Sequence, residues 1–208
     1  MNEGFVIEAG DPVFAASGRW CLPGPSQRRT AVELTAEQAH LFVHQVLLRV
    51  LKKESRTTKS VIAAVPNYNL DYRPDPHAKT SNELLRHIAA ADNFFLKSVI
   101  DGVFIPGSVT IPESAGNPVE VAEWYEHTYA SNLEALSELS SDSLVKTLDF
   151  RGLFRAPAYT FIQSGLAHTI HHRGQLSTYL RPMGSRVPAI YGESYDSAEA
   201  KKAAQPQV

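Results

Sequence analysis

The run "AHTIHHRGQLSTYLRPMG", residues 167–184, places three histidines within five residues and follows them with an arginine, a glycine and a glutamine. Histidine is a middling helix former and neighbouring imidazoles repel when protonated, so helix stability does not account for the cluster. On a helix, residues four apart point about 40° apart, so His168 and His172 share a face and can grip one divalent ion. Ile162, Leu166, Leu176 and Leu180 define an apolar face; His168 and His172 flank it, and His171 lies nearly opposite. The same flank carries Ser164, Gln175 and Tyr179, a polar stripe beside the interior that needs partners. A third ligand must come from another element. In "ELLRHIAAADNFF", His87 shares its side with Leu84, Ala91 and Phe94, which directs an imidazole toward the core.

Three neutral imidazoles leave one position for water or substrate, the open arrangement used by catalytic zinc. Such an ion lowers the pKa of a bound water or thiol and so supplies a nucleophile at neutral pH. Imidazole suits Zn²⁺ first, with Ni²⁺, Fe²⁺ or Mn²⁺ as other occupants. Spacing alone does not single out a metal, because His40 and His44 repeat the same interval and read as packed or solvated histidines near a helix start. His77, in a proline-rich loop, and His127, beside Glu123 and Glu126, read as surface residues. Arg173 falls near the apolar face, where an unpaired guanidinium is costly, and so calls for a carboxylate partner or an interface. Gly174 suggests a close helix contact, Gln175 and Tyr179 can orient a ligand, and Glu83 and Asp92 are candidate acceptors for an imidazole N–H.

The elements that must hold these residues are helices. "TAEQ" offers Thr35 as N-cap with Gln38 three residues on, starting a helix that runs toward Val65 and is interrupted or solvated at the polar run "KKESRTTKS", residues 52–60. "TSNE" caps a second helix over 81–101 through Thr80 and Glu83, ending at Gly102. "NPVE" starts a third at Asn117 with Pro118 in its first turn, reaching about Leu139. A connector leads to the fourth, about 157–181, closed by Pro182 and Gly184. Four long helices with few strand signals predict an all-α four-helix bundle over 35–208, with an irregular N-terminal extension over 1–34 containing one short strand, and a C-terminal tail that starts extended.

The 208 residues suit one domain with appendages, and a formal net charge of -2 gives no general affinity for nucleic acid. Nowhere do eighteen apolar residues run together, so no membrane helix is expected, and the acidic, apolar-poor start does not read as a secretory signal. The single cysteine, Cys21, fits a reducing compartment, so a cytoplasmic protein is expected; its flanks "GRWCLPGP" hold no histidine to activate a thiol.

The run "AHTIHHRGQLSTYLRPMGSRVPAIYGESYD" closely resembles the C-terminal signature of the DinB family of YfiT-like metal-dependent proteins, and "LDYRPDPHAKTSNELLRHIAAADNFF" resembles its second-helix region. The resemblance implies a four-helix bundle, usually a homodimer, with a divalent metal held by three histidines that fall on His87, His168 and His172. It also implies thiol-dependent transfer or isomerisation of a small-molecule substrate with a low-molecular-weight thiol; chemically, a three-histidine metal with an open position can equally activate water for hydrolysis. The other class of function is a non-catalytic metal-binding or stress-related interaction protein whose metal ties helices together. Residues 1–34 have no counterpart in the resemblance.

Overall fold

The computed structural model describes residues 33–204 together with two short strands at 13–14 and 20–21. The chain divides into two compact units, Met1–Leu34 and Thr35–Val208. Within the first, β1 (Val13–Phe14) pairs antiparallel with β2 (Trp20–Cys21), Val13 facing Cys21. The remainder of the expected irregular extension and the Cys21 side chain lie outside the described residues.

The second unit opens with α1 (Ala36–Phe42) at the expected capping box: the Gln38 N–H donates to Thr35 Oγ1 at 3.3 Å and the Thr35 N–H to Gln38 Oε1 at 2.9 Å. The helix continues through a π-helical turn, Val43–Leu47, into α2 (Leu48–Ala63). The irregularity therefore falls at 43–47, not in the polar run 52–60. The buried positions explain it. Ala39, Val43, Leu47 and Leu51 recur at every fourth residue, a spacing that drifts off a 3.6-residue helix and that a wider turn absorbs. The polar run stays helical because Glu54 and Thr58 face inward and its lysines face solvent or half-buried surface.

α3 (Ser81–Asp101) starts at the Thr80–Glu83 capping box and ends at Gly102, whose φ of 70° is the left-handed cap that a glycine adopts without strain. α4 (Pro118–Ser137) is capped by Asn117, whose Oδ1 accepts from the Val119 and Glu120 N–H groups. The following connector is more ordered than the sequence suggests. It holds α5 (Ser141–Val145) and a hairpin of β3 (Thr147–Phe150) and β4 (Phe154–Pro157), with Leu148 opposite Ala156 and Phe150 opposite Phe154. Arg151 and Gly152 take positive φ of 59° and 75° at its tip, the conformation a tight hairpin turn demands. Then come α6 (Ala158–Leu180) and, after an extended stretch, α7 (Tyr195–Ala204).

The bundle is a ring: α2 packs against α4 and α6, and α3 against the same two. α2 and α3, consecutive in the chain, thus sit across the diagonal, joined by the long connection over 64–80. Leu84, Ile88, Tyr125, Leu136, Phe161 and Leu176 fill the interior. Among the described residues no helix is long and apolar enough to cross a membrane.

A charged cluster is built into this interior. Arg173 is 1% exposed, and its Nη2 stands 2.6 Å from Glu54 Oε2, which supplies the carboxylate that the sequence requires. Its Nη1 donates to Thr58 Oγ1 and to the Glu54 carbonyl, both at 3.2 Å. Nη2 also donates to the Tyr191 hydroxyl at 2.7 Å, and that hydroxyl donates on to Glu54 Oε2 at 3.0 Å. One guanidinium thereby ties α6 to α2 and to the stretch leading into α7.

Candidate metal centre

The site lies where α3 meets α6. Gly165 lets these helices approach: a Cβ built there would stand 2.7 Å from Phe95 Cβ and 2.9 Å from its Cγ. The close contact that the sequence suggests at Gly174 occurs one helical stretch earlier, at Gly165. Gly174 is exposed, and among the described residues nothing lies within 4 Å of such a Cβ.

This approach brings His87 of α3 against His168 and His172 of α6. The Nε2 atoms of His87 and His168 are 3.1 Å apart, and one potential ligand atom from each of the three residues falls within 4.8 Å of the others. Ring centroids stand 4.9 Å (His87–His168), 4.7 Å (His87–His172) and 4.4 Å (His168–His172) apart, at steep interplanar angles of 65°, 88° and 70°. Edges rather than faces therefore converge. All three residues are half-buried. Phe95, the residue seated on Gly165, also walls His168, its ring 5.9 Å away.

Burial holds all three imidazoles below the usual histidine range. Desolvation pushes His87 down to about 4, with the neighbouring His172 and then Lys79 adding to the effect. His168 is pushed to about 3 by desolvation first, then by His172, His87 and His171. His172 is lowered by desolvation, against a hydrogen bond to Gln175 that opposes the shift. At neutral pH the cluster is uncharged and presents lone pairs, the state a metal ligand requires.

The three imidazoles form a group that could hold a divalent ion, and one pair of them, His87 and His168, already stands at ligand spacing. Two imidazole nitrogens bound at about 2.0–2.1 Å stand roughly 3.3 Å apart in tetrahedral geometry and roughly 2.9 Å apart in octahedral, and the observed 3.1 Å lies between. Among the described residues His168 Nδ1 is buried without a hydrogen-bond partner, and Phe95 packs beside its ring. Among the described residues, no other group of three or more His, Cys, Asp or Glu is arranged to hold an ion.

The other singled-out residues take different places. His40 and His44 stack face to face, centroids 3.9 Å apart and planes 29° apart, on the first helix; His77 and His127 are exposed. Glu83 is spent on the α3 cap, and Asp92 turns into the core, where its Oδ2 accepts from the Tyr125 hydroxyl at 2.6 Å. Neither serves an imidazole. Burial raises Asp92 to about 7, the Tyr125 hydrogen bond opposing it; the nearby guanidinium of Arg173 is already engaged by Glu54. The residue that does reach an imidazole is Gln175: its Oε1 is 2.7 Å from His172 Nδ1, and its Nε2 is 3.1 Å from His171 Nε2. His171, exposed and opposite the apolar face, joins the site's outer edge through that carboxamide.

A ring of four helices with three converging imidazoles on one adjacent pair defines a class of bundle protein with a prospective metal site. The DinB family model matches residues 37–207, and the chain belongs to the DinB family. It is 24% identical over 136 residues to the uncharacterized protein YjoA of Bacillus subtilis (strain 168), a span covering 64% of this chain and 86% of that protein. The crystal structure of the DinB-like protein YjoA from Bacillus subtilis superposes with a TM-score of 0.60 at 20% identity, covering 71% of this chain and 99% of that one. A DinB-like protein from Bacillus cereus ATCC 10987 gives the same TM-score, 0.60, at 24% identity, covering 71% of this chain and 97% of that one. These likenesses speak for the fold.

Proposed function

We propose that this protein is a divalent-metal-dependent enzyme acting on small molecules, with His87, His168 and His172 as the metal ligands and residues 35–208 as the working domain. The reaction class is thiol S-transfer from a low-molecular-weight thiol to an electrophile, or hydrolysis by the same centre. One observation carries this reading: three half-buried imidazoles, held below the usual histidine range by burial, converge their edges within 4.8 Å of one another. A divalent ion held there, Zn²⁺ by preference, supplies Lewis acidity that makes a thiol or water nucleophilic at neutral pH. The chain's own residues bind and arrange. α3 and α6, locked together at Gly165 and Phe95, fix His87 against His168, and Phe95 excludes water from one flank. Gln175 holds His172 by its second ring nitrogen. The expected homodimer belongs to the same reading; the exposed strip Leu41, Val46 and Val50 supports it, and sedimentation checks it.

The test uses protein purified without an affinity tag. Metal analysis should find about one equivalent per chain, largely lost in His168→Ala. Incubation of the loaded protein with a panel of electrophiles, with and without glutathione-like thiols, separates the two reactions, since transfer consumes thiol stoichiometrically. Full occupancy in His168→Ala removes the ligand assignment. Metal-dependent melting without turnover on any panel leaves a structural ion instead.

A further inference from the structure

His172 is anchored differently from its partners. Its Nδ1 is 2.7 Å from the Oε1 of Gln175, one helical turn on, and the Nε2 of the same carboxamide is 3.1 Å from His171 Nε2. Spacings of three and four residues on one helix make both contacts possible at once. His168, by contrast, has a buried Nδ1 with no partner among the described residues.

The chemistry of the carboxamide assigns the protons. An amide oxygen only accepts, so His172 Nδ1 must carry its hydrogen and donate it; an amide nitrogen only donates, so His171 Nε2 must be unprotonated and accept. The consequence at His172 is a fixed tautomer: with the proton held on Nδ1, the lone pair is on Nε2. The ring is also held against rotation about its side-chain bonds. A group that donates its other N–H to an oriented acceptor is the arrangement that raises imidazole basicity and prepares it as a ligand.

We infer that Gln175 is a positioning residue of the metal site: it selects the Nδ1–H tautomer of His172 and aims Nε2 at the position shared with His87 and His168, while His171 sets which way the Gln175 carboxamide faces. Nothing in the helix itself requires this glutamine. It is exposed, and among the described residues its side-chain hydrogen bonds run only to the two histidines. The inference rests on the proposed metal site, and it divides labour among the ligands: His168 is held by packing, His172 by a hydrogen bond.

The experiment compares the full-length wild type with Gln175→Leu, Gln175→Glu and His171→Phe. Zn²⁺ affinity is read by competition with a chromophoric chelator, and imidazole tautomers by long-range ¹⁵N–¹H correlation on the metal-free protein. Gln175→Leu should weaken Zn²⁺ binding about 10–100-fold. Its metal-free melting temperature should not fall, as expected of an exposed helical position. Gln175→Glu keeps an acceptor for Nδ1–H and should restore the affinity, which a merely structural role would not predict. His171→Phe should fall between the two, because the carboxamide keeps its acceptor and loses the partner that orients it. Wild-type His172 should show the Nδ1–H tautomer, and Gln175→Leu a mixture. Unchanged Zn²⁺ affinity in Gln175→Leu, or an Nε2–H tautomer at wild-type His172, overturns the inference. A wild type that takes up no Zn²⁺ overturns the metal reading instead, and the tautomer measurement still decides the role of Gln175.

Discussion

The contrast between Gly165 and Gly174 gives a sharp quantitative test of how α3 and α6 are held. Both glycines sit inside α6, so replacing either with alanine recovers roughly 1 kcal/mol of helix propensity. At Gly174 nothing among the described residues stands within 4 Å of the new methyl, so Gly174→Ala should stabilise the protein by most of that amount, about 0.5–1 kcal/mol. At Gly165 the methyl would lie 2.7 Å from Phe95 Cβ, which belongs to the stem of the side chain and cannot swing aside. To reach an ordinary 3.4 Å contact the two must separate by 0.7 Å (3.4 − 2.7). Overpacking of this kind costs about 1–3 kcal/mol, enough to outweigh the propensity gain, so Gly165→Ala should be net destabilising by about 1 kcal/mol. Urea denaturation of the two variants and the wild type, with slopes checked for equality, reads both effects on one scale. Because Phe95 also walls His168, forcing the helices apart should loosen the 3.1 Å His87–His168 pair and weaken Zn²⁺ binding in Gly165→Ala alone. A Gly165→Ala protein as stable as Gly174→Ala would refute the packing argument.

Three further outcomes follow from the interior. Asp92, raised to about 7 against an ordinary 3.8, stays protonated in the folded state where the unfolded chain has already lost its proton; its contribution is full below pH 3.8 and declines as pH rises through 7, by about 1.4 kcal/mol per pH unit or roughly 4 kcal/mol in all. Asp92→Asn, which keeps an acceptor for Tyr125, should therefore gain on the wild type as pH is raised from 4 to 8, and denaturation at several pH values gives the difference. Glu54→Gln leaves the Arg173 guanidinium buried without its counter-charge and should cost about 3–5 kcal/mol, measured by thermal or urea unfolding. Since the folded imidazoles are depressed below 6.5, Zn²⁺ affinity should be level above pH 6.5 and fall only at a pH well under the ordinary histidine range; a decline centred at 6.5 in a chelator-competition series would contradict the burial described for His87 and His168.

The helices were legible because their ends are written locally. Thr35 with Gln38 and Thr80 with Glu83 form the expected capping boxes, Asn117 caps α4 where expected with Glu120 completing a third box, and Gly102 closes α3 in the left-handed conformation. The hairpin was not, although "TLDF" and "FRAP" alternate about the Arg151–Gly152 turn; its strands are four residues each, too short for alternation to stand out beside long helical periods. The π-helical turn was signalled by the four-residue recurrence from Ala39 to Leu51, a period easily mistaken for an ordinary helix. Helical angle placed His168 and His172 side by side, and the inward side of α3 offered His87; their meeting depends on which helices become neighbours, which no local pattern states. Arg173 announced its need for a carboxylate. That the answer is Glu54, 119 residues earlier, comes from tertiary packing alone. Glu83 and Asp92 were plausible imidazole partners by spacing, and each was claimed by a closer demand, the α3 cap and the Tyr125 hydroxyl.

The pairing of α3 with α6 carries a consequence for the order in which the molecule is made. His87 and His168 are 81 residues apart, and α4, the hairpin and half of α6 must be synthesised between them. Until α6 emerges and docks, α3 offers one isolated imidazole, which has no useful hold on an ion. The loop closed by that docking is long, so its entropic cost is met by the packing of the whole α3–α6 interface rather than by three nitrogens. Helical packing therefore precedes the meeting of the three imidazoles, which come together only in a bundle already closed.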